Sequence, residues 1–176
     1  PMPLNPSDTH VKIRNDFSPF ETELLIEEIF CLIKQEPNLT VRTKKELWLV
    51  ASKSGIYGLF EDGYLSSFIF TTAIGKDLIE IHGLYTKPEH RGKGYATRLI
   101  LHVTKDRKRR YWAATFLDPI CRMLTEKCGF TQTSWRYLSL TEKWSFVAKR
   151  LKPHRLSAVV RHRSKNTLHF LKKEDV

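Results

Sequence analysis

The sequence predicts an α/β (α+β) fold: a mixed, mostly antiparallel twisted sheet with helices on both of its faces. Three observations carry that expectation. Two capping-box signatures, Ser18-Pro19-Phe20-Glu21 and Thr43-Lys44-Lys45-Glu46, open stretches with apolar residues at helical spacing. Three β-prone runs follow one another between Ile56 and Thr86, the first two joined by Asp62-Gly63. A glycine-spaced basic turn, Arg91-Gly92-Lys93-Gly94, then leads from the last of these runs into an amphipathic stretch.

Taken in order, Val11–Asn15 is a short strand. Ser18 and Pro19 supply an N-cap and a first helical residue, and Leu24, Leu25, Ile29, Leu32 and Ile33 keep helical spacing up to the break at Pro37. The second helix runs from Thr43 to Gly55, with Leu47, Trp48 and Val50 expected to bury one side. Ile56–Glu61 and Tyr64–Thr72 form a hairpin, and Leu78–Thr86 is the next strand. The helix after the glycine turn reaches about Arg107, and Tyr111–Leu117 returns to strand. Asp118-Pro119 reads as a cap and first residue of the helix Ile120–Cys128, which Gly129 stops. Thr133–Leu140 and Trp144–Leu151 are expected as closing strands. Ser157–Arg163 and Thr167–Leu171 alternate enough to form a hairpin around Ser164-Lys165-Asn166.

The glycine turn carries the chemistry. A strand that breaks into such a turn and re-forms as a helix aims several backbone N–H groups into one small space, and the helix dipole adds positive potential there. The site suits a phosphate or pyrophosphate. It is not a P-loop, since no Gly-Lys-Ser/Thr ending is present, and it lacks the third glycine of a dinucleotide fingerprint.

Composition bounds the rest. A chain of 176 residues with 41% hydrophobic and 28% charged residues is one soluble domain with a sizeable core. It holds no apolar run of membrane-spanning length and no secretion-signal layout, so the expected location is cytoplasmic. Pro1 ahead of Met2 reads as a cloning remnant, with the native start at Met2. Cys31, Cys121 and Cys128 show no metal-like spacing and read as core or wall residues in a reducing compartment, with no metal site. The net charge is +11, and residues Lys149–Val176 carry nine lysines and arginines against two acids. Such a tail attracts polyanions without specificity. The expected organisation is a domain over residues 1–152 and a basic extension over 153–176. Lys105–Arg110 adds further cations, with Trp112, Trp135, Tyr137 and Trp144 near it in sequence; these aromatics suit either core packing or nucleic-acid stacking.

Arg91-Gly92-Lys93-Gly94-Tyr95-Ala96, preceded by Lys87-Pro88-Glu89, resembles the pyrophosphate motif of the GNAT superfamily of acetyl-CoA-dependent N-acetyltransferases. Leu124-Thr125-Glu126-Lys127-Cys128-Gly129-Phe130 is similar to that family's Leu-Tyr-Glu-Lys-x-Gly-Phe helix end, and the likeness covers about Val11 to Lys152. The resemblance implies a splay between the fourth and fifth strands, with the backbone of Leu84, Tyr85 and Thr86 pairing with the pantetheine arm of acetyl-CoA. Gly83 is placed to supply the bulge that starts the splay. Backbone N–H groups of Arg91, Gly92, Lys93, Gly94, Tyr95, Ala96 and Thr97 are implied to cradle the pyrophosphate. Asp118 takes the position of an asparagine often found after the fifth strand, and Cys121 that of a small residue beside the arm.

Acetyl transfer to an amine requires an unprotonated nucleophile, a base to provide it and an acid for the departing thiolate. Glu80 stands where some family members carry a catalytic glutamate. His82 shares its facing on an alternating strand and is expected to share the role or orient water. Thr125 replaces the family's frequent acidic tyrosine and is a far weaker proton donor. Tyr85, Tyr137, Cys128 or water are the alternatives. The expected function is acetyl transfer from acetyl-CoA to a primary amine by direct attack. The basic surface favours an acceptor on an anionic carrier, such as charged tRNA or an acidic protein. The alternative is a non-catalytic CoA-binding module whose tail contacts RNA or DNA or an acidic partner.

Overall fold

The computed structural model describes residues 10–74, 76–148 and 168–174. The predicted hairpin strand Ser157–Arg163 and the tail cations Lys149–Lys165 lie outside them. Seven strands form one sheet in the order β1-β2-β3-β4-β5-β7-β6. β1 (Val11–Arg14), β2 (Ile56–Glu61), β3 (Tyr64–Ala73) and β4 (Leu78–Thr86) pair antiparallel in sequence order. β5 (Arg110–Thr115) joins β4 in parallel, and β7 (His169–Lys173) then lies antiparallel between β5 and β6 (Thr131–Thr133). The hairpin between β2 and β3 turns at Asp62 and Gly63 with φ of 51° and 85°, the double left-handed geometry that an Asp-Gly pair favours.

Helices cover both faces. α1 (Pro19–Gln35) and α2 (Lys44–Ala51) begin at the two capping boxes, each with both reciprocal bonds in place. Leu25, Ile26, Ile29, Ile33 and Leu47 pack against Ile56, Phe68 and Phe70 on one face. Leu24 and Trp48, expected to be buried, point outward, as does Cys31. α3 (Tyr95–Val103) and α4 (Asp118–Cys128) cover the other face, where Leu99, Ile100 and Leu124 meet Ile69, Ile81, Ala113 and Leu171. At the far end of the α1 and α2 face, Trp112 stacks on Tyr137 and Phe170, with ring centroids 5.9 and 5.3 Å apart. Of the four aromatics found among cations in the sequence, Trp112 is core and Trp135 and Tyr137 pack half-buried against it, whereas Trp144 is exposed.

The C-terminal third corrects several expectations. α3 ends at Val103, capped by Thr104, and the Asp106 side chain accepts from the Lys108 N–H to turn the chain toward β5. β5 stops at Thr115, whose hydroxyl accepts from the Leu117 N–H. Leu117 is therefore the cap of α4, with Asp118 and Pro119 inside its first turn. In place of a strand over Thr133–Leu140 there is the short β6 and a single 3-10 turn, Trp135–Tyr137. The expected strand at Trp144–Leu151 is helical over its described part, within α5 (Leu140–Ala148). The closing strand is β7, from the stretch assigned to the basic extension. It is an inner strand of the sheet, so the sheet draws on residues from both sides of the expected 152/153 boundary. Among the described residues, no helix is long and apolar enough to cross a membrane.

Candidate active site

β4 and β5 pair only from Leu78↔Arg110 to Ile81↔Ala113 and then part. The cause lies in β4. Phe68 pairs with Tyr85 and Phe70 with His82, so Gly83 and Leu84 together oppose Ile69 alone. This is a bulge, and Gly83 adopts φ of 63° within it. A Cβ at Gly83 would come within 2.3 Å of the Phe70 ring, so glycine is required there on both counts. The bulge expected at Gly83 is therefore present. Beyond Ile81, β4 bends away, and its outer edge faces no strand among the described residues.

A cavity of about 760 Å³ opens through this gap. Ile79, Ile81, Ile100, Ile120 and Leu124 line it on the α3 and α4 face, and Arg42, Phe70, Thr72, Glu80 and His82 on the α2 face. Gly83 and Leu84 form its wall along β4, and Ala113–Leu117 along β5. Glu80 is 2% exposed. The His82 ring is held at both nitrogens: Arg42 Nη2 lies 2.8 Å from Nδ1, and Thr72 Oγ1 lies 2.8 Å from Nε2. A guanidinium can only donate, so Nδ1 accepts, and Nε2 carries the proton and donates to Thr72. With Nδ1 accepting, His82 is neutral and directs that lone pair at Arg42.

The glycine turn lies beyond the cavity at the start of α3. Lys87 and a 3-10 turn over Pro88–His90 lead into it. Gly92 and Gly94 adopt φ of 85° and 76°, and a Cβ on either would meet nothing within 4 Å, so the space in front of the turn is open. Gly94 caps α3 with no side chain, and the first turn of α3 holds no acid. The side chains of the turn are directed back to the protein. Arg91 donates to Glu36 at 3.1 Å and to the Thr86 carbonyl at 3.2 Å. Lys93 donates to both Glu61 oxygens at 2.9 and 3.0 Å, and His90 Nδ1 lies 2.7 Å from the same carboxylate. The Tyr95 hydroxyl and Lys93 hold the Glu61 carboxyl below the usual carboxylate range. Burial, with the bond to Glu61, pushes the Tyr95 phenol up to about 12. Glu61 therefore clamps the turn onto β2, and the backbone is the part that faces outward.

The remaining expected site residues are more scattered. The Leu84 backbone lines the gap, whereas the Tyr85 side chain packs against Phe68 at 5.3 Å. Ser67 donates to the Tyr85 carbonyl at 2.6 Å, so Thr86 donates to Ser67 at 2.9 Å. Ala96 and Thr97 lie in the first turn of α3. Asp118 pairs with His169 Nε2 at 2.8 Å, and Cys121 is buried near Gln132. Thr125 gives its hydroxyl to the Cys121 and Arg122 carbonyls, both at 3.1 Å. These three do not line the cavity, which touches α4 at Ile120 and Leu124 instead. Tyr85, Tyr137 and Cys128, the other expected proton donors, do not line it either. Arg42 and Thr72 do, and no sequence motif marks them.

An antiparallel sheet that admits one parallel pair, splits at it, and places a glycine-cradled helix start beside the split defines a class of acyltransferase. The chain belongs to the acetyltransferase (GNAT) family, whose family model matches residues 17–130. No curated protein matches it. Among solved structures it is similar to Rv2747 of Mycobacterium tuberculosis in complex with CoA, at 14% identity and a TM-score of 0.68, covering 94% of this chain and 99% of that one. It is also similar to the ribosomal-protein-S18-alanine N-acetyltransferase of Escherichia coli, at 14% identity and a TM-score of 0.57, covering 93% and 92%. N-acetylglutamate synthase of Neisseria gonorrhoeae, complexed with coenzyme A and N-acetyl-glutamate, matches at 20% identity and a TM-score of 0.63 over 93% of this chain. This chain spans only 35% of the length of that synthase.

Proposed function

We propose that this chain transfers the acetyl group of acetyl-CoA to a primary amine by direct attack. The observation that carries the reading is the combination of three features: an uncapped helix start with open space before it, an unpaired strand edge, and a cavity through the sheet with a buried carboxylate on its wall. The residues present fit the donor. Backbone N–H groups from Gly92 to Thr97 would hold a pyrophosphate, and the β4 edge from Gly83 to Thr86 would pair with an extended arm. Acetyl-CoA, when bound, supplies the acetyl group as a thioester, which an unprotonated amine attacks. Glu80 takes the proton from that amine, directly or through one water, and neutral His82, bonded to Thr72, helps to position that water. Tyr57 is the phenol on the cavity wall, and burial raises its pKa, so Tyr57 or water protonates the departing thiolate. The similar structures that carry CoA in their names support the donor, and those named for acetylating amines support the reaction class.

Thiol release from acetyl-CoA across a panel of amines tests the proposal. Glu80→Gln is expected to lower kcat by about 10²- to 10⁴-fold while leaving CoA affinity within twofold or so. Tight CoA binding without amine-dependent release would return the chain to a CoA-binding module. Equal kcat in wild type and Glu80→Gln would remove Glu80 from the mechanism.

A further inference from the structure

We infer that the acceptor is a small α-amino acid whose carboxylate is taken by Arg42; the inference rests on the transferase reading above. Arg42 comes from the connection between α1 and α2, and its side chain reaches over the sheet into the cavity wall. Its guanidinium lies over the Phe70 ring, 5.0 Å from the centroid, and its Nη2 donates to His82 at 2.8 Å. His82 is itself anchored on Thr72. The fork is therefore braced on a ring face and on an imidazole that is fixed at its far nitrogen.

A braced, planar, permanently charged group is suited to a carboxylate, which it can meet with two parallel N–H bonds. It cannot serve as an acid or base at any working pH, so beyond holding His82 its place in a transfer cavity suits recognition. Glu80 and His82 share one face of β4, two residues apart, which sets them about 6–7 Å apart along the strand. Glu80 and Arg42 line the same cavity, and an α-amino acid, which carries its amine and carboxylate on one carbon, offers the first to Glu80 and the second to Arg42. The first residue of a peptide has no α-carboxylate to offer Arg42.

The test compares the common α-amino acids with their carboxamides as acceptors, followed by thiol release from acetyl-CoA. The amine of a carboxamide is less basic and more of it is unprotonated, so the bias runs against the expected result. The acids should exceed their amides by about 10- to 100-fold in kcat/KM for the preferred side chain. Arg42→Gln should bring acid and amide to parity, and Arg42→Lys should restore part of the preference. Amides equal to acids in the wild type, or an equal loss for both in Arg42→Gln, would overturn the inference. If CoA binds by calorimetry and neither series releases thiol, the transferase reading fails. The inference is then read from N-acetyl-amino acids titrated into the CoA complex against their amides: tighter binding of the acids, lost in Arg42→Gln, upholds the Arg42 site, and equal or absent binding overturns it.

Discussion

At the start of α1, the Ser18 hydroxyl accepts from the Glu21 N–H at 3.2 Å and the Glu21 carboxylate accepts from the Ser18 N–H at 2.8 Å. α2 repeats the arrangement with Thr43 and Glu46. The start of α3 has neither half of it: its cap is Gly94 in the left-handed conformation, with no side chain to accept a bond. Of the five described α-helices, α3 alone has no acid in its first turn. Every helix start leaves N–H groups without intrahelical partners and a partial positive charge. α1 and α2 satisfy both needs from within the chain, and α3 leaves them for an anion from outside. On the proposed reading, the contrast separates helix starts that stabilise the fold from the one that holds the donor.

The largest expected effect comes from closing the open start. Gly94→Val places a β-branched residue at φ of 76°, at a strain of about 1–2 kcal/mol. It also puts bulk in the space before the turn. CoA affinity by calorimetry should fall by about 10- to 100-fold, the scale of losing bonds to a charged group. Unchanged affinity would mean that the turn does not hold the donor. A smaller effect is expected from the clamp. Glu61→Gln removes the charge that holds Lys93 and His90, and should raise the KM for acetyl-CoA about fivefold with kcat retained. A matching fall in kcat would point instead to a general loss of structure.

The internally capped starts should respond in the opposite way. Ser18→Ala should cost about 1 kcal/mol in denaturant unfolding and leave CoA affinity alone. The smallest effect is one of pH. The Arg14 guanidinium, with the Ser18 backbone and hydroxyl, holds the Glu21 carboxyl at about 2, below its ordinary 4.5. A carboxylate depressed in the folded state stabilises that state above the unfolded value, and the gain is lost as pH falls from 4.5 through 2. The thermal midpoint of the wild type should therefore exceed that of Glu21→Gln at pH 6, with the gap closing by about pH 2. A gap that persists at pH 2 would detach it from this titration.

The capped starts and the glycine turn were legible because each is written in four to six consecutive residues. The hairpin at Asp62-Gly63 and the bulge at Gly83 were legible for the same reason. α5 was missed although Ser139-Leu140-Thr141-Glu142 repeats the capping box, with both reciprocal bonds at 3.3 and 2.8 Å. Trp144–Leu151 was expected as a closing strand, and that box was the signal that could have corrected it. β7 could not be placed locally. Its position is set by partners far away in sequence, with Leu171 opposite Ala113 and Phe170 against Trp112. Arg42 was invisible for a related reason: a single arginine in a polar connection has no pattern, and only the fold sets it beside His82. Glu80 and His82 could be paired by strand alternation, but the bonds that fix the His82 tautomer come from Thr72 and Arg42 on other elements.

The contrast between helix starts is tested most directly by backbone amide NMR of the protein titrated with CoA. The account predicts the largest shifts at Gly92–Thr97, with a second set along Gly83–Thr86. The amides that open α1 and α2, at Phe20–Thr22 and Lys44–Leu47, should stay within the background. Saturable binding whose largest shifts fall outside Gly83–Thr97, or shifts of equal size at the capped helix starts, would contradict it.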